Sequence, residues 1–150
     1  MNRTHAFWKQ RVPVAGLCGL LALTLSACQG LPTHSDCPRA QDMSPQMLYG
    51  SWTVQVAGEP LLTLTLGPHP EHMGSLRGEL TSTTGPNQKP RAVVADLDDG
   101  EFTLEETHDG QRIAATWLGR LPQAGCGRQI QGQRTLAGED SRPFVLTRLP

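Results

Sequence analysis

The chain has 150 residues, enough for one domain, and carries 13 Lys and Arg against 14 Asp and Glu, a formal net charge of −1. This even balance, without a cluster of basic residues, gives no indication of a nucleic-acid-binding surface, so we expect no nucleic acid among the partners. The sequence also lacks an apolar run of about 20 residues, the length that a membrane-spanning helix needs.

Residues 1–27 have the pattern of an export signal. Three basic residues, Arg3, Lys9 and Arg11, precede an uncharged and mostly apolar run of 14 residues from Val12 to Leu25. This run is too short to span a bilayer comfortably. We therefore predict that residues 1–27 form a signal peptide.

The signal ends in Leu25-Ser26-Ala27-Cys28, which resembles the lipobox of bacterial lipoproteins. The resemblance implies cleavage before Cys28, a diacylglycerol on its thiol, and an acyl chain such as palmitate on the new amino terminus. Two or three acyl chains satisfy the rule that stable membrane anchoring needs more than one. Because Gln29 rather than Asp follows, the resemblance implies an outer-membrane lipoprotein that faces the periplasm or the cell surface. The alternative is an ordinary secretory signal with a chance cysteine.

Two cysteines are left for pairing, Cys37 and Cys126, because Cys18 departs with the signal and Cys28 carries the lipid. Two cysteines in an oxidising periplasm usually pair, so we predict a disulfide between them. It would close a loop of 89 positions, for which chain entropy gives about 4–5 kcal/mol as an upper figure. Two free thiols or a metal pair are the alternatives, although the sequence around these cysteines lacks CxxC or Cys-His spacing.

The chain that remains after removal of the signal divides into a tether and a domain. Its ten basic and fourteen acidic residues give a charge of about −4. Residues 28–47 contain three prolines and little apolar periodicity, so we expect a lipidated tether there. From residue 48 to residue 150 the apolar residues recur with period two, which predicts one β domain.

Eight short strands account for this periodicity, and Asp-Gly pairs at 99–100 and 109–110 are strong signals for hairpin turns. Such a meander favours an all-β, small antiparallel eight-strand up-and-down barrel, which leaves no free edge, with a two-sheet sandwich as the alternative. The residues predicted to face the core are, strand by strand, Trp52, Val54 and Val56; Leu62, Leu64 and Leu66; Leu76, Gly78 and Leu80; Val93, Ala95 and Leu97; Phe102 and Leu104; Ile113, Ala115 and Trp117; Ile130 and Gly132; Phe144 and Leu146.

The start of the first strand, Gly50-Ser51-Trp52, resembles the Gly-x-Trp signature of the calycin group, which includes lipocalins and avidins. The resemblance implies that Trp52 plugs one end of the barrel and that a basic residue of the last strand, Arg142 or Arg148, packs across it. Residues 48–54 are also similar to the start of the bacterial metalloprotease inhibitors of this group. Those proteins inhibit through a free amino terminus, which lipid on Cys28 would block.

The polar residues indicate no catalytic or metal site. His69, Glu71 and His72 lie on a Pro-containing connection with no evident further ligand, so we expect no metal or cofactor there. The acidic residues between Asp96 and Asp109, Glu106 among them, are expected to form a solvated hairpin face. Paired inward carboxylates and a Gly-x-Ser-x-Gly elbow are missing from the predicted pattern, so we expect no enzyme and no catalytic residue.

The interior of the barrel is the remaining candidate site. The small inward residues Ala95, Ala115, Gly78 and Gly132 could leave a cavity for one small ligand, since an eight-strand barrel is just wide enough to hold one. The residues predicted to line it are Trp52, Leu64, Phe102 and Trp117. The sequence therefore predicts a membrane-anchored envelope lipoprotein that binds a small apolar ligand or an envelope protein. A metalloprotease inhibitor and a purely structural component are the alternatives.

Overall fold

The computed structural model describes residues 37–84 and 89–150. The predicted signal peptide, the lipidation site Cys28, the tether up to residue 36 and the predicted turn at 85–87 lie outside the described residues. Among the described residues, no helix is long and apolar enough to cross a membrane.

Eight antiparallel strands form one closed barrel in which every strand pairs with its neighbours in sequence and β1 pairs with β8. This confirms the all-β, eight-strand up-and-down barrel. Short 3₁₀ turns occupy Ala40–Asp42, Pro45–Leu48 and Gln123–Gly125. The strands are β1 (Gly50–Val56), β2 (Leu62–Pro68), β3 (Leu76–Ser82), β4 (Arg91–Asp98), β5 (Glu101–Thr107), β6 (Ile113–Arg120), β7 (Gln129–Leu136) and β8 (Arg142–Arg148).

The predicted inward rows form the core, because alternate residues of a strand point to the same face of a sheet. One exception is Ile113, which was expected inside and is exposed. The ladder between β5 and β6 shifts register between Glu106 and Thr107. Glu106 pairs with Ala115 and Thr107 pairs with Ile113, so β6 has one extra, unpaired residue between Ile113 and Ala115. This bulge turns the side chain of Ile113 outward.

The two ends of the barrel differ in what covers them. Because successive strands run in opposite directions, the turns at 69–75, 99–100 and 121–128 share one end with residues 37–49, and we call this the closed end. The turns at 57–61, 108–112 and 137–141 share the other end with residues 83–84 and 89–90, and we call it the open end. The Asp99-Gly100 turn has positive φ at both residues, 45° and 77°, as the predicted hairpin turn requires.

The described part of the predicted tether, residues 37–47, packs against the closed end of the barrel. Cys37 and Cys126 form a disulfide with their Cα atoms 4.7 Å apart, which confirms the predicted pair. Met43 is only 8% exposed and belongs to the core, and its side chain lies against Gly127. The described residues before β1 are therefore part of the folded body.

Candidate functional site

The closed end is sealed by Trp52 and Arg148. Trp52 is fully buried, and its Nε1 donates a hydrogen bond to the carbonyl of Leu48 at 3.0 Å. The guanidinium carbon of Arg148 lies 5.8 Å from the centroid of the Trp52 ring, which is a cation–π distance. The same guanidinium donates to the carbonyls of Met47, at 2.5 Å, and Tyr49, at 2.6 Å. Of the two arginines considered for this position, Arg148 therefore occupies it.

The four residues predicted to contact a ligand lie inside the barrel, where other side chains cover them. Trp52, Leu64, Phe102 and Trp117 are each at most 1% exposed. Trp117 packs edge-on against Phe144, with ring centroids 5.0 Å apart. A ligand would reach these residues only by displacing the side chains around them, and their ligand role stays a prediction.

The small inward residues are sites of close packing in the barrel. Ala95 and Ala115 are buried. A Cβ added at Gly78 would collide with the carbonyl oxygen of Thr65, and one at Gly132 would collide with that of Leu118. These two glycines therefore permit neighbouring strands to approach closely, which is a common reason for glycine inside a sheet.

The inward row of β5 ends in a charged residue, Glu106, which is fully buried. Arg134 on β7, only 3% exposed, donates to it through Nη2 at 3.1 Å and through Nε at 3.3 Å. Arg91, at the start of β4, donates through Nη1 at 2.6 Å, and Trp117 donates through Nε1 at 3.3 Å. The Arg134 guanidinium also lies 5.1 Å from the centroid of the Trp117 ring. We refer to Glu106, Arg134 and Arg91 as the ion cluster.

The ion cluster keeps Glu106 charged. Burial on its own raises the pKa of the Glu106 carboxyl, but the positive charges of Arg134 and Arg91 and the hydrogen bonds from Arg134 and Trp117 outweigh it, so the pKa is lowered. Among the described residues, every buried side-chain nitrogen and oxygen has a hydrogen-bond partner. A buried charge is tolerated under these conditions because nothing polar is left unsatisfied.

The rim of the open end extends the ion cluster toward solvent. Glu59, in the turn between β1 and β2, accepts from Arg134 at 2.9 Å and from Arg142 at 3.4 Å. His108 follows β5, and its Nε2 lies 3.4 Å from a carboxylate oxygen of Glu106. Arg134 is thereby held between two carboxylates: Glu106, inside the barrel, and Glu59, at the rim of the open end.

A cavity of about 500 Å³ lies at this end of the barrel. Its walls combine charged groups with apolar surface, and we call it the mouth pocket. The described residues that line it are Glu59, Pro60, Leu62, Ser82, Thr84, Lys89, Pro90, Arg91 and His108. Arg91 thus belongs both to the pocket wall and to the ion cluster, which fixes one side of the pocket to the barrel interior.

Glu106 and Arg134 were not identified as site residues from the sequence, which placed Glu106 on a solvated acidic face and only Ile130 and Gly132 inward on β7. Both predictions were wrong. The period-two rows themselves carry the signal, since Glu106 continues the row of Phe102 and Leu104, and Arg134 continues the row of β7. Opposite charges at the same depth of two inward rows indicate a buried pair.

His69 and Asp109, in two other groups of polar residues, form hydrogen bonds within the turns in which they lie. The Nδ1 atom of His69 accepts hydrogen bonds from the backbone N–H groups of Glu71 and His72, both at 3.1 Å. Asp109 accepts from the backbone of Gln111 and Arg112, both at 2.9 Å. Within residues 37–84 and 89–150, no group of three or more His, Cys, Asp or Glu is arranged to hold a metal ion.

No protein-family model matches the sequence, and no curated protein is significantly similar to it. Function is therefore inferred from the geometry of the chain itself.

Proposed function

We propose that the chain is a lipid-anchored binding protein of the bacterial outer membrane, without enzymatic activity, and that it binds a small, partly apolar ligand at the open end. The mouth pocket next to the ion cluster is the observation that carries this proposal. Its volume of about 500 Å³ falls within the range of roughly 300–1,000 Å³ typical of small-molecule sites.

The composition of the mouth pocket suits a ligand with an apolar body and a polar group. Pro60, Leu62 and Pro90 supply apolar surface, while Glu59 and Arg91 supply polar atoms at its edge. The ion cluster holds the Arg91 side chain through its bond to Glu106. A group held in place before binding loses less conformational entropy when the ligand arrives, which favours affinity.

The place where the chain enters the barrel agrees with an anchor at Cys28. Cys37, which is nine positions after Cys28, is bridged to Cys126 at the closed end. A lipid anchor at Cys28 would therefore join the barrel at its closed end. The open end would stay accessible to a ligand from the periplasm or from outside the cell.

An envelope protein partner is the second candidate, and the outer wall of the barrel favours it. Val94 on β4 and Leu118 on β6 are 38% and 59% exposed, and both line a shallow cavity of about 320 Å³ across β4, β5 and β6. The other described residues that line this cavity are polar, namely Asp96, Thr103, Glu105 and Thr116, so Val94 and Leu118 are the apolar contacts that it offers to a partner. This candidate predicts binding that depends on Leu118 and not on the open end.

The anchor is tested by membrane fractionation and by labelling with a palmitate analogue. We expect the full chain to label and to sediment with membranes, and the Cys28→Ser variant to do neither. Membrane association of the Cys28→Ser variant would contradict the proposed anchor.

Ligand binding is tested with the exported Cys28→Ser variant and four aromatic probes of one size: naphthoate, naphthyl phosphate, naphthamide and naphthylmethylamine. We expect at least one probe to bind, as measured by calorimetry, and Pro60→Trp to weaken that binding by about tenfold or more because the indole fills the mouth pocket. Pro70→Trp is the matched control, since it makes the same change in an exposed turn at the closed end. Failure of all four probes to bind, or equal effects of the two tryptophans, would overturn the proposal.

A further inference from the structure

The mouth pocket carries more positive than negative groups. Lys89 and Arg91 are the positively charged side chains that line it, and Glu59 is the only acidic residue among the described residues that do so. Glu59 is already bound by Arg134 and Arg142. Two arginines that do not line the pocket therefore offset the charge of Glu59, and Lys89 and Arg91 supply positive charge to the pocket.

Arg91 has hydrogen-bonding capacity to spare. Its side chain is 22% exposed, and within the described part of the chain it donates one side-chain hydrogen bond, from Nη1 to Glu106. The guanidinium carries five N–H donors in a planar fork, so the edge formed by Nε and Nη2 is not used by Glu106. That edge matches the two oxygens of a carboxylate or a phosphate.

Lys89 adds a second cation two residues before Arg91 in the same wall. Among residues 37–84 and 89–150, no carboxylate lies within ion-pair distance of its ammonium group. Pro60, Leu62 and Pro90 supply apolar surface to the same pocket. A ligand that uses both kinds of surface carries an anionic group and a compact apolar body.

We propose that the mouth pocket recognises a small organic oxyanion, with the carboxylate or phosphate of the ligand on Arg91 and Lys89 and its apolar body against Pro60, Leu62 and Pro90. This inference rests on the proposed function, because it assigns a ligand chemistry to the same open end. It predicts that charge, and not apolar size alone, selects the ligand.

The four naphthalene probes test this inference because they share one apolar body and differ in charge. We expect naphthoate or naphthyl phosphate to bind at least about tenfold more tightly than neutral naphthamide and cationic naphthylmethylamine, since neither of the latter two can form an ion pair with arginine. The preferred anion distinguishes a carboxylate ligand from a phosphate ligand. We also expect the preference to weaken as salt is raised, as attraction between accessible charges does.

Two variants test whether Lys89 and Arg91 cause the preference for anionic probes. Lys89→Met removes a cation outside the ion cluster, and Arg91→Lys keeps the charge but loses the fork, so both leave Glu106 with Arg134. Each should reduce the preference for the anion by about fivefold or more, whereas Arg77→Met, the loss of an exposed cation on the wall of β3, should not change it.

The outcomes separate the two proposals. If charged and neutral probes bind equally well and Pro60→Trp abolishes this binding, the oxyanion inference is overturned and the open end remains the binding site. An anion preference that persists in both Lys89→Met and Arg91→Lys would overturn the inference as well. Binding of none of the probes would overturn both.

Discussion

At the scale of single residues, the unusual feature is a pair of buried charges just inside the open end of an otherwise apolar barrel interior. Glu106 and Arg134 are both buried and bonded to each other. Taking two charges out of water costs several kcal/mol per ion in practice, and the attraction between them offsets this only with good geometry and further hydrogen bonds. Trp117 and Arg91 supply those additional bonds to the carboxylate.

Removing one partner of the Glu106–Arg134 pair should destabilise the protein more than replacing both partners with apolar residues. We expect Glu106→Leu to lower the free energy of unfolding by about 3 kcal/mol, because the buried Arg134 loses one of the two carboxylates that bind it among the described residues and keeps Glu59. The double variant Glu106→Leu with Arg134→Met should recover more than half of that loss, since both buried charges are then removed and the charge that remains, on Arg91, is partly exposed to solvent. Urea unfolding of the two single variants and the double variant measures this coupling. If the losses of unfolding free energy in the two single variants add up to the loss in the double variant, Glu106 and Arg134 do not act as a unit.

The lowered pKa of Glu106 makes stability depend on pH in one direction. In the unfolded chain the carboxyl titrates near its ordinary value of 4.5, and in the folded protein it titrates lower. The contribution of its charge is therefore complete above pH 4.5 and is lost as the pH falls through the folded pKa. As the pH is lowered, we expect the free energy of unfolding to fall less steeply in the Glu106→Gln variant than in the unchanged protein. The matched control is Asp109→Asn, an exposed turn carboxyl whose pKa is also lowered, which should leave the Glu106-dependent part of the slope intact.

These two residues also show what the sequence could and could not predict about the site. Period two places Glu106 and Arg134 inside by the same rule that places Phe102 and Leu104 inside. Their charge argues for the outside, and without pairing information nothing in one strand reveals that an opposite charge lies at the same depth on another. Long-range register decides between the two positions, and register between distant strands is not encoded in local alternation.

At the scale of elements, the closed end depends on one arginine of the last strand. Arg148 satisfies the carbonyls of Met47 and Tyr49 and lies over Trp52, so it joins the 3₁₀ turn to β8 and β1. At the other end of the same strand, the Arg142 side chain donates long hydrogen bonds, both 3.4 Å, to Glu59 and Glu139 at the surface. The two residues offer a matched pair of tests within one strand.

We expect Arg148→Met to lower the free energy of unfolding by about 1–3 kcal/mol, because two carbonyls lose their donor. Arg142→Met should change it by less than about 1 kcal/mol, since exposed ion pairs contribute little. Thermal unfolding of both variants, with intrinsic tryptophan fluorescence as the readout, makes the comparison. Equal losses in the two variants would show that the contacts around Trp52 do not hold the closed end together.

The elements themselves were largely predictable, and their irregularities were not. Each of the eight predicted strands is present, because each has an apolar row bounded by turn residues. The register shift after Glu106 left no mark in the sequence pattern, so Ile113 was placed inside. The close approach of strands at Gly78 and Gly132 was likewise read as spare volume, since a glycine in a sequence does not show what lies opposite it.

At the scale of the whole molecule, closure of the barrel is the property that local patterns left open. Alternation fits a barrel and a sandwich equally well. The pairing of β1 with β8 decides between them, and it joins residues about 90 positions apart, such as Val54 and Leu146. The disulfide between Cys37 and Cys126 spans a similar separation, and it fastens the start of the described chain to the closed end.

Removing this disulfide should loosen the closed end without opening the barrel. We expect Cys37→Ser with Cys126→Ser to lower the free energy of unfolding by up to about 4 kcal/mol, because the unfolded chain regains the freedom of an 89-position loop. Amide exchange should rise mainly around Met43, while the strand ladders stay protected, since β1 and β8 close the barrel by themselves. Cys28→Ser is the matched control, because it replaces a cysteine but leaves the disulfide intact. Faster exchange throughout the strands of the double variant would mean that the disulfide holds the barrel closed.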